Sequence, residues 1–317
     1  GKSEPPNSEV LKSSFIVPIN VEMACYLSCL GVIAFSMLLV MNSELIPEWF
    51  VGSLGIAIFF GLVGYAFLKL AGTERKRMFA AIYFVLAQIP FWALFEQAGS
   101  SLTLFTDRLV DKEMFGWNVP TPVFQFLNAG YIVIFAPLFA WMWSSLGKRG
   151  LEPSTPVKFA IGVFLAGLGF LSLVGGMGIS GTTGMTAVYF IFLIYWVHTM
   201  GELMVSPVGL SAVTKMAPAR VVGMTMGAWF LYSGLSNFLA GVIARSTGAE
   251  TIGGQVTNIA EAKATYISVY SNVGYVAMGI GVAMLVISPI IKSWMSTDVG
   301  AVDSMDDELR ASGEKPA

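Results

Sequence analysis

Eight long apolar stretches alternate with short polar segments along the chain. Each has about 20 residues or more, enough for an α-helix to cross a bilayer, and they lack the alternating ten-residue pattern of membrane β-strands. Where a stretch exceeds that length, tilt or extension beyond the membrane must absorb the surplus. The pattern predicts an all-α integral membrane protein with eight transmembrane helices, at 21–41, 50–68, 79–106, 122–146, 159–178, 184–212, 221–244 and 265–291.

Composition and charge support this class. Hydrophobic residues make up 55% of the chain and charged residues only 12%, about half the charged share of a soluble domain. The net charge of −2 argues against a nucleic-acid partner. Fourteen of the 18 Lys and Arg residues fall on the side that holds both chain ends, which predicts that both ends are cytoplasmic. Cys25 and Cys29 are interpreted as small apolar residues rather than a redox or metal pair.

Two carboxylates, Glu96 and Glu202, lie well inside apolar stretches. A charge at the bilayer centre costs about 3 kcal/mol on insertion scales, so such residues generally mark a substrate or proton pathway. The alternative is a carboxyl that stays protonated or pairs with a neighbouring helix for packing alone. Each glutamate is followed four residues later by a serine, Ser100 and Ser206, which predicts a hydroxyl on the same helical face.

The two glutamates also suggest an internal repeat. Spans three to five and six to eight form two triplets, and each triplet begins with a glutamate-containing helix. Because the starts of these two helices are three spans apart, the helices run in opposite directions. This arrangement is typical of an inverted-topology repeat, in which the functional groups lie near the bilayer midplane.

Two other polar side chains within the spans leave alternatives open. Asn128 is an amide inside the fourth span, where it can join helices or contact a ligand. His198 lies one helical turn before Glu202. It can relay protons, or it can act as a packed interhelical hydrogen-bond donor, which is the interpretation we favour.

Three strings of the sequence resemble helices of one transporter family. FWALFEQAGSSLTLFTDR, FLNAGYIVIFAPLFAW and GELMVSPVGLSAVTKMAP resemble the seventh, eighth and tenth helices of the proton-dependent oligopeptide transporter family, within the major facilitator superfamily. The resemblance covers about residues 74–295 and implies the six-helix bundle that forms the C-terminal half of such a carrier. The first two spans resemble the helical hairpin that bacterial members insert between their two bundles.

The resemblance implies a division of the chain into four parts. These are a cytoplasmic linker at 1–20, an accessory transmembrane hairpin at 21–73, the C-terminal six-helix bundle at 74–296 and a disordered cytoplasmic tail at 297–317. The start, GKSEPPNSEV, reads as the end of a polar linker. We therefore expect the chain to begin within a larger protein and to need a preceding N-terminal six-helix bundle as its partner.

The family's substrate site is implied at four positions of this sequence. Glu202 matches the glutamate that receives the ammonium group of the peptide, and Asn128 matches the asparagine beside it. Ser206 and Trp229 match positions that line the same pocket. The family's first-helix glutamate and arginine motif and its fourth-helix lysine are not in this chain, so the implied site is half of a complete one.

The resemblance also implies residues for coupling and gating. Glu96 matches the acid of the seventh helix that is linked to proton coupling through an arginine of the first helix. Asp107 resembles an acid of the outside gate, and Leu210 resembles a bulky residue of the inside gate. These two gate assignments depend on spacing rather than on a motif.

The expected function is therefore proton-coupled symport of di- and tripeptides across a bacterial inner membrane. The expected partners are the peptide, protons and membrane lipid, and no cofactor or metal is expected. The alternatives are another major facilitator carrier, for a drug, nitrate or a sugar, and a non-transport membrane subunit. An anion carrier would place Arg or Lys near Glu202 and Asn128, whereas this sequence has no Arg or Lys in the middle of its apolar stretches. The spans also lack the motifs of an intramembrane enzyme, such as a metal cluster or Gly-x-Ser-x-Gly.

Overall fold

A computed structural model describes residues 12–16, 19–41, 48–181, 184–248, 251–252 and 255–295. Eight of its helices are long and apolar enough to cross a membrane, which confirms the predicted number of spans. The helices at these spans are α1 (Val21–Met41), α2 (Glu48–Lys69), α3 (Gly72–Phe95), α5 (Phe126–Lys148), α6 (Thr155–Ile179), α7 (Tyr189–Met216), α8 (Val222–Ser246) and α9 (Ile259–Met295), and a shorter helix, α4 (Ser101–Leu109), follows α3. The chain is a multi-pass membrane protein.

The described residues form two compact units that divide between Leu54 and Gly55, within α2. In the first unit, β1 (Ser14–Ile16) pairs antiparallel with β2 (Ile19–Asn20), and α1 follows directly. The side chain of Asn20 accepts a hydrogen bond of 2.8 Å from the backbone N–H of Met23. It thereby satisfies one of the amide donors that a helix N-terminus leaves without a partner.

The second unit contains the six spans that begin at α3. Its core lies between α3, α6, α7 and α9, and includes fully buried aromatic side chains such as Phe84, Phe159 and Tyr270. Helix α5 differs from these four, because none of its residues is fully buried. Helix α8 is tied to the C-terminal part of α2 by a hydrogen bond of 2.8 Å from the Tyr232 hydroxyl to the carbonyl of Gly55.

Glycines allow the central helices to approach closely. A Cβ at Gly167 of α6 would lie 2.5 Å from the backbone oxygen of Gly274 in α9. A Cβ at Gly162 would lie 2.9 Å from the backbone oxygen of Gly201 in α7. Small residues at such crossings are typical of membrane helices, since close packing replaces the hydrophobic driving force that is lost in lipid. The two crossings fix α7 and α9 against α6.

The continuous helix predicted for residues 79–106 is wrong. Helix α3 ends at Phe95, a 3₁₀ turn covers Glu96–Gly99, and α4 starts at Ser101. Ser100 between them has φ −134° and ψ −103°, outside the helical region. Small polar residues favour such breaks because their side chains bond to nearby backbone groups. Here the Ser100 hydroxyl donates to the carbonyl of Glu96 at 3.3 Å.

Short strands order the loops on one side of the second unit. β3 (Val110–Asp111) pairs parallel with β6 (Thr186–Ala187), β4 (Glu113–Met114) pairs antiparallel with β5 (Trp117–Asn118), and β7 (Thr251–Ile252) pairs antiparallel with β8 (Gln255–Val256). The turn between β4 and β5 has Phe115 at φ 53° and Gly116 at φ 78°. Two consecutive left-handed residues are typical of a two-residue hairpin loop.

Two of the predicted divisions fall largely outside the described residues. The tail at 297–317 lies wholly outside them, as do residues 1–11 of the 1–20 linker. The hairpin at 21–73 and the bundle at 74–296 correspond to α1 and α2 and to the helices from α3 onward. Their roles as accessory and transporting parts remain predictions.

Candidate functional site

A hydrogen bond joins the two polar side chains assigned to the substrate's amino end. Asn128 in the first turn of α5 donates from Nδ2 to Oε2 of Glu202 in α7, at 2.8 Å. The same amide donates to Oγ1 of Thr199 at 3.1 Å. Thr199 in turn donates to the carbonyl of Tyr195 at 2.7 Å. Both bonds tie Asn128 of α5 to α7, and they satisfy the amide donors in an apolar environment.

The packing of α7 determines where Glu202 lies. Its neighbour Gly201 faces the crossing with Gly162, and a Cβ there would also lie 3.0 Å from the ring of Phe91 in α3. Successive residues of a helix are turned by about 100°, so Glu202 lies away from this crossing and toward α5. Its side chain is only partly buried. A carboxylate has about four acceptor positions, so the bond from Asn128 leaves capacity for a cationic ligand.

Glu96 lies in the 3₁₀ turn that follows α3 and is also partly buried. Its neighbour Phe95 stacks against His198, one turn before Glu202, so the segments that carry the two carboxyl groups are neighbours. Like charges repel strongly where water is scarce. A proton on one carboxyl group, or a cation between the two, would relieve such repulsion.

A buried network that the sequence did not reveal holds the turn containing Glu96. The amide of Gln97 donates to the carbonyl of Ala93 at 2.9 Å and to that of Ala240 in α8 at 3.1 Å. Its oxygen accepts a bond of 2.6 Å from Ser101, whose hydroxyl lies 3.0 Å from that of Tyr270 in α9. In the sequence, the signal for this network was Gln97 itself, a polar amide inside an apolar run.

His198 makes the interhelical hydrogen bond that was the favoured interpretation. Its Nε2 lies 3.0 Å from the carbonyl of Ala166 in α6, and because a carbonyl accepts, the ring nitrogen donates. The ring is 4% exposed. It packs between Phe95 and Phe170. His198 also lines a cavity of about 170 Å³ together with Asn128.

The remaining pocket residues assigned from the sequence lie farther away. Ser206 is one turn beyond Glu202 on α7 and partly buried. Trp229 of α8 is 3% exposed and packs against Phe159. Its ring also covers Gly209, which is about 10 Å beyond Glu202 along the helix. The structure therefore brings Asn128 to Glu202 and places Trp229 in the core about two turns below them.

The two gate assignments fall at opposite ends of the bundle. Asp107 in α4 accepts bonds of 2.8 Å from Lys112 and from Thr121. These hydrogen bonds lower the pKa of Asp107 below its usual range. Leu210 lies in the half of α7 beyond Pro207 and is partly buried against the core. Within the described residues, no group of three His, Cys, Asp or Glu side chains could hold a metal ion.

Comparison with known proteins decides the family. The family model described as PTR2, POT family, matches residues 49–259. The chain belongs to the POT family. This confirms the resemblance read from the three sequence strings. The eight long apolar helices accordingly have the major facilitator fold.

Relatives of this POT family chain are transporters. It is 34% identical over 240 residues to the uncharacterized transporter YclF of Bacillus subtilis, covering 76% of this chain and 45% of YclF. It is 30% identical over 245 residues to dipeptide and tripeptide permease B of Salmonella typhimurium, covering 77% of this chain and 49% of the permease. The chain therefore spans about half the length of the curated relatives it matches.

Solved structures show the same fold. A mutant of peptide transporter POT in complex with alafosfalin superposes with a TM-score of 0.70 at 31% identity, over 89% of this chain and 55% of the other. A POT family transporter in complex with 5-aminolevulinic acid gives a TM-score of 0.66 at 26% identity, over 85% of this chain and 54% of the other. The architecture of the chain matches that of POT family transporters.

Proposed function

We propose that this chain is the C-terminal part of a carrier that imports di- and tripeptides together with protons. The complete carrier would lie in the bacterial inner membrane with both ends of this chain in the cytoplasm. An N-terminal six-helix bundle would complete the site. Transport by two bundles that rock around a midplane site is common in this superfamily.

The hydrogen-bonded pair of Asn128 and Glu202 carries this proposal. Every peptide substrate shares an ammonium group, a carboxylate and a backbone, so a carrier of varied peptides must bind those groups. Glu202 supplies an anion for the ammonium group, and Asn128 fixes that anion at 2.8 Å while offering its own carbonyl oxygen as an acceptor. The pair thus fits the amino end of a peptide. The carboxylate of the peptide would be bound by a cation of the partner bundle.

Glu96 is suited to proton coupling by its position. It lies where α3 breaks, at the edge of the apolar core, and its neighbour Phe95 stacks against His198, one turn before Glu202. An apolar environment favours a neutral carboxyl group, whereas an arginine brought close by the partner bundle favours the charged one. Protonation of Glu96 would therefore bias two arrangements of the bundles, which is how a local charge change drives a switch.

The proposal is tested by separating proton-driven accumulation from exchange. In the complete transporter reconstituted in liposomes, Glu96→Gln should abolish accumulation of a labelled dipeptide under an inward proton gradient. It should preserve exchange of internal for external peptide, since exchange requires no net movement of protons. Glu113→Gln, at an exposed acid in β4, is the matched control and should leave both activities unchanged. Accumulation that survives in Glu96→Gln would contradict the assigned role.

A further inference from the structure

A groove of about 550 Å³ lies along α5, α6 and α7, and it is separate from the site around Glu202. Its deeper part is lined by apolar side chains, among them Ala136, Ala140, Leu203 and Val208. The two alanines are one turn apart on α5 and leave room between α5 and its neighbours. This agrees with the absence of any fully buried residue in α5.

The polar residues of the groove all lie toward one end. Thr155 and Lys158 belong to the first turn of α6, and Lys215 belongs to the last turn of α7, one turn after Ser211. Helices α6 and α7 are antiparallel neighbours, so these two ends face the same membrane surface. By the distribution of basic residues that surface is the cytoplasmic one. The groove therefore has an apolar depth and a polar mouth.

The mouth carries positive charge. Lys158 is 7% exposed, forms an ion pair with Glu152 and lies 4.2 Å from the ring centre of Trp143. Lys215 is exposed, so its ammonium group is accessible to a ligand. Arg77 of α3 donates to the backbone carbonyl of Lys215 at 2.5 Å and brings a further cation to this end. Three cations against one carboxylate leave a net positive mouth.

From this arrangement we infer that the groove binds an anionic phospholipid, with its acyl chain along α5 and its phosphate at Lys215. The apolar lining of the groove fits a hydrocarbon chain. The hydroxyls of Thr155 and Ser211 and the ammonium of Lys215 match the acceptor oxygens of a phosphate group. Basic pockets between transmembrane helices at the cytoplasmic surface are typical sites for anionic headgroups.

The inference can be tested by native mass spectrometry of the complete protein in detergent. The protein is titrated with phosphatidylglycerol and, separately, with phosphatidylcholine of the same acyl chains. We expect preferential retention of phosphatidylglycerol. Lys215→Gln should weaken that retention about fivefold, the effect of removing one basic residue near the headgroup, and should weaken retention of phosphatidylcholine less, because its choline group offsets the phosphate charge. Lys148→Gln, at an exposed lysine that ends α5 outside the groove, is the matched control and should change neither.

A second variant tests the acyl part of the site. Ala140→Phe fills the groove and should reduce retention of both lipids, while the melting temperature of the purified protein reports that it still folds. Equal retention of both lipids by the wild type would overturn the inference, as would equal effects of Lys215→Gln and Lys148→Gln. Displacement of phosphatidylglycerol by millimolar inorganic phosphate would also overturn it, because the groove would then bind a free anion. Full retention of both lipids by a folded Ala140→Phe would likewise overturn the inference. The groove would then be covered by the partner bundle rather than by lipid.

Discussion

Asn128 and Glu202, 74 positions apart in the sequence, are joined by a hydrogen bond of 2.8 Å between Nδ2 and Oε2. The bond links the start of α5 to the middle of α7. Since α5 has no fully buried residue, this polar contact supplements a packing that is limited to partly buried side chains at the level of the site. The geometry of the Glu202 carboxylate therefore depends on the placement of a loosely packed helix.

Replacing Gly167 with alanine should destabilise the bundle. The new Cβ would lie 2.5 Å from the backbone oxygen of Gly274, so α6 and α9 would have to separate. Such overpacking costs about 1–3 kcal/mol. Thermal unfolding of the purified protein measures the effect. Gly175→Ala, on the same helix but with open space at its Cβ, is the control and should be neutral or slightly stabilising because alanine favours helix.

The network around Gln97 should matter for stability more than an exposed amide does. Gln97→Leu preserves approximate size but removes the donor to Ala240 and the acceptor for Ser101. Leaving buried polar groups without partners costs about 1–3 kcal/mol. Gln125→Leu removes an exposed bond of 3.1 Å to Thr103 and should change stability by less than about 0.5 kcal/mol. Equal melting temperatures for the two variants would show that the network contributes nothing to folding.

Asp107 should contribute stability that depends on pH. Its hydrogen bonds from Lys112 and Thr121 lower its pKa in the folded state. A lowered folded pKa means that the contribution is fully present above the unfolded pKa, about 4, and is lost as the pH falls through the folded value. Its side chain is 57% exposed, so the contribution is less than about 1 kcal/mol.

The measurement is the melting temperature of Asp107→Asn relative to the wild type. The variant should be slightly less stable at pH 7, and the difference should shrink as the pH is lowered from about 5 to about 3. A difference that grows on acidification would show that the carboxylate is not stabilised by its two donors.

Much of the fold and part of the site could be predicted from the sequence. Eight apolar runs are enough to define eight spans, and a glutamate inside such a run is conspicuous wherever it occurs. The contact between Glu202 and Asn128 was implied by the family resemblance but not by pattern, because it depends on how α5 lies against α7. The break at Ser100 was missed because the run around it is apolar enough for a continuous helix. The break is held by a polar network in which Gln97 donates to Ala240 of α8 and the Ser101 hydroxyl lies 3.0 Å from that of Tyr270 in α9.

The central claim is that Glu202 binds the ammonium group of a peptide. It is tested most directly by the affinity of the complete transporter for a free dipeptide and for the same peptide acetylated at its N-terminus, in the wild type and in Glu202→Gln. Removing one partner of a desolvated charge pair costs about 2–5 kcal/mol. The free peptide should therefore lose a factor of tens to thousands in affinity, and the acetylated peptide, already weak, should lose little more. Equal losses for both peptides would contradict the claim and assign Glu202 to the proton path instead.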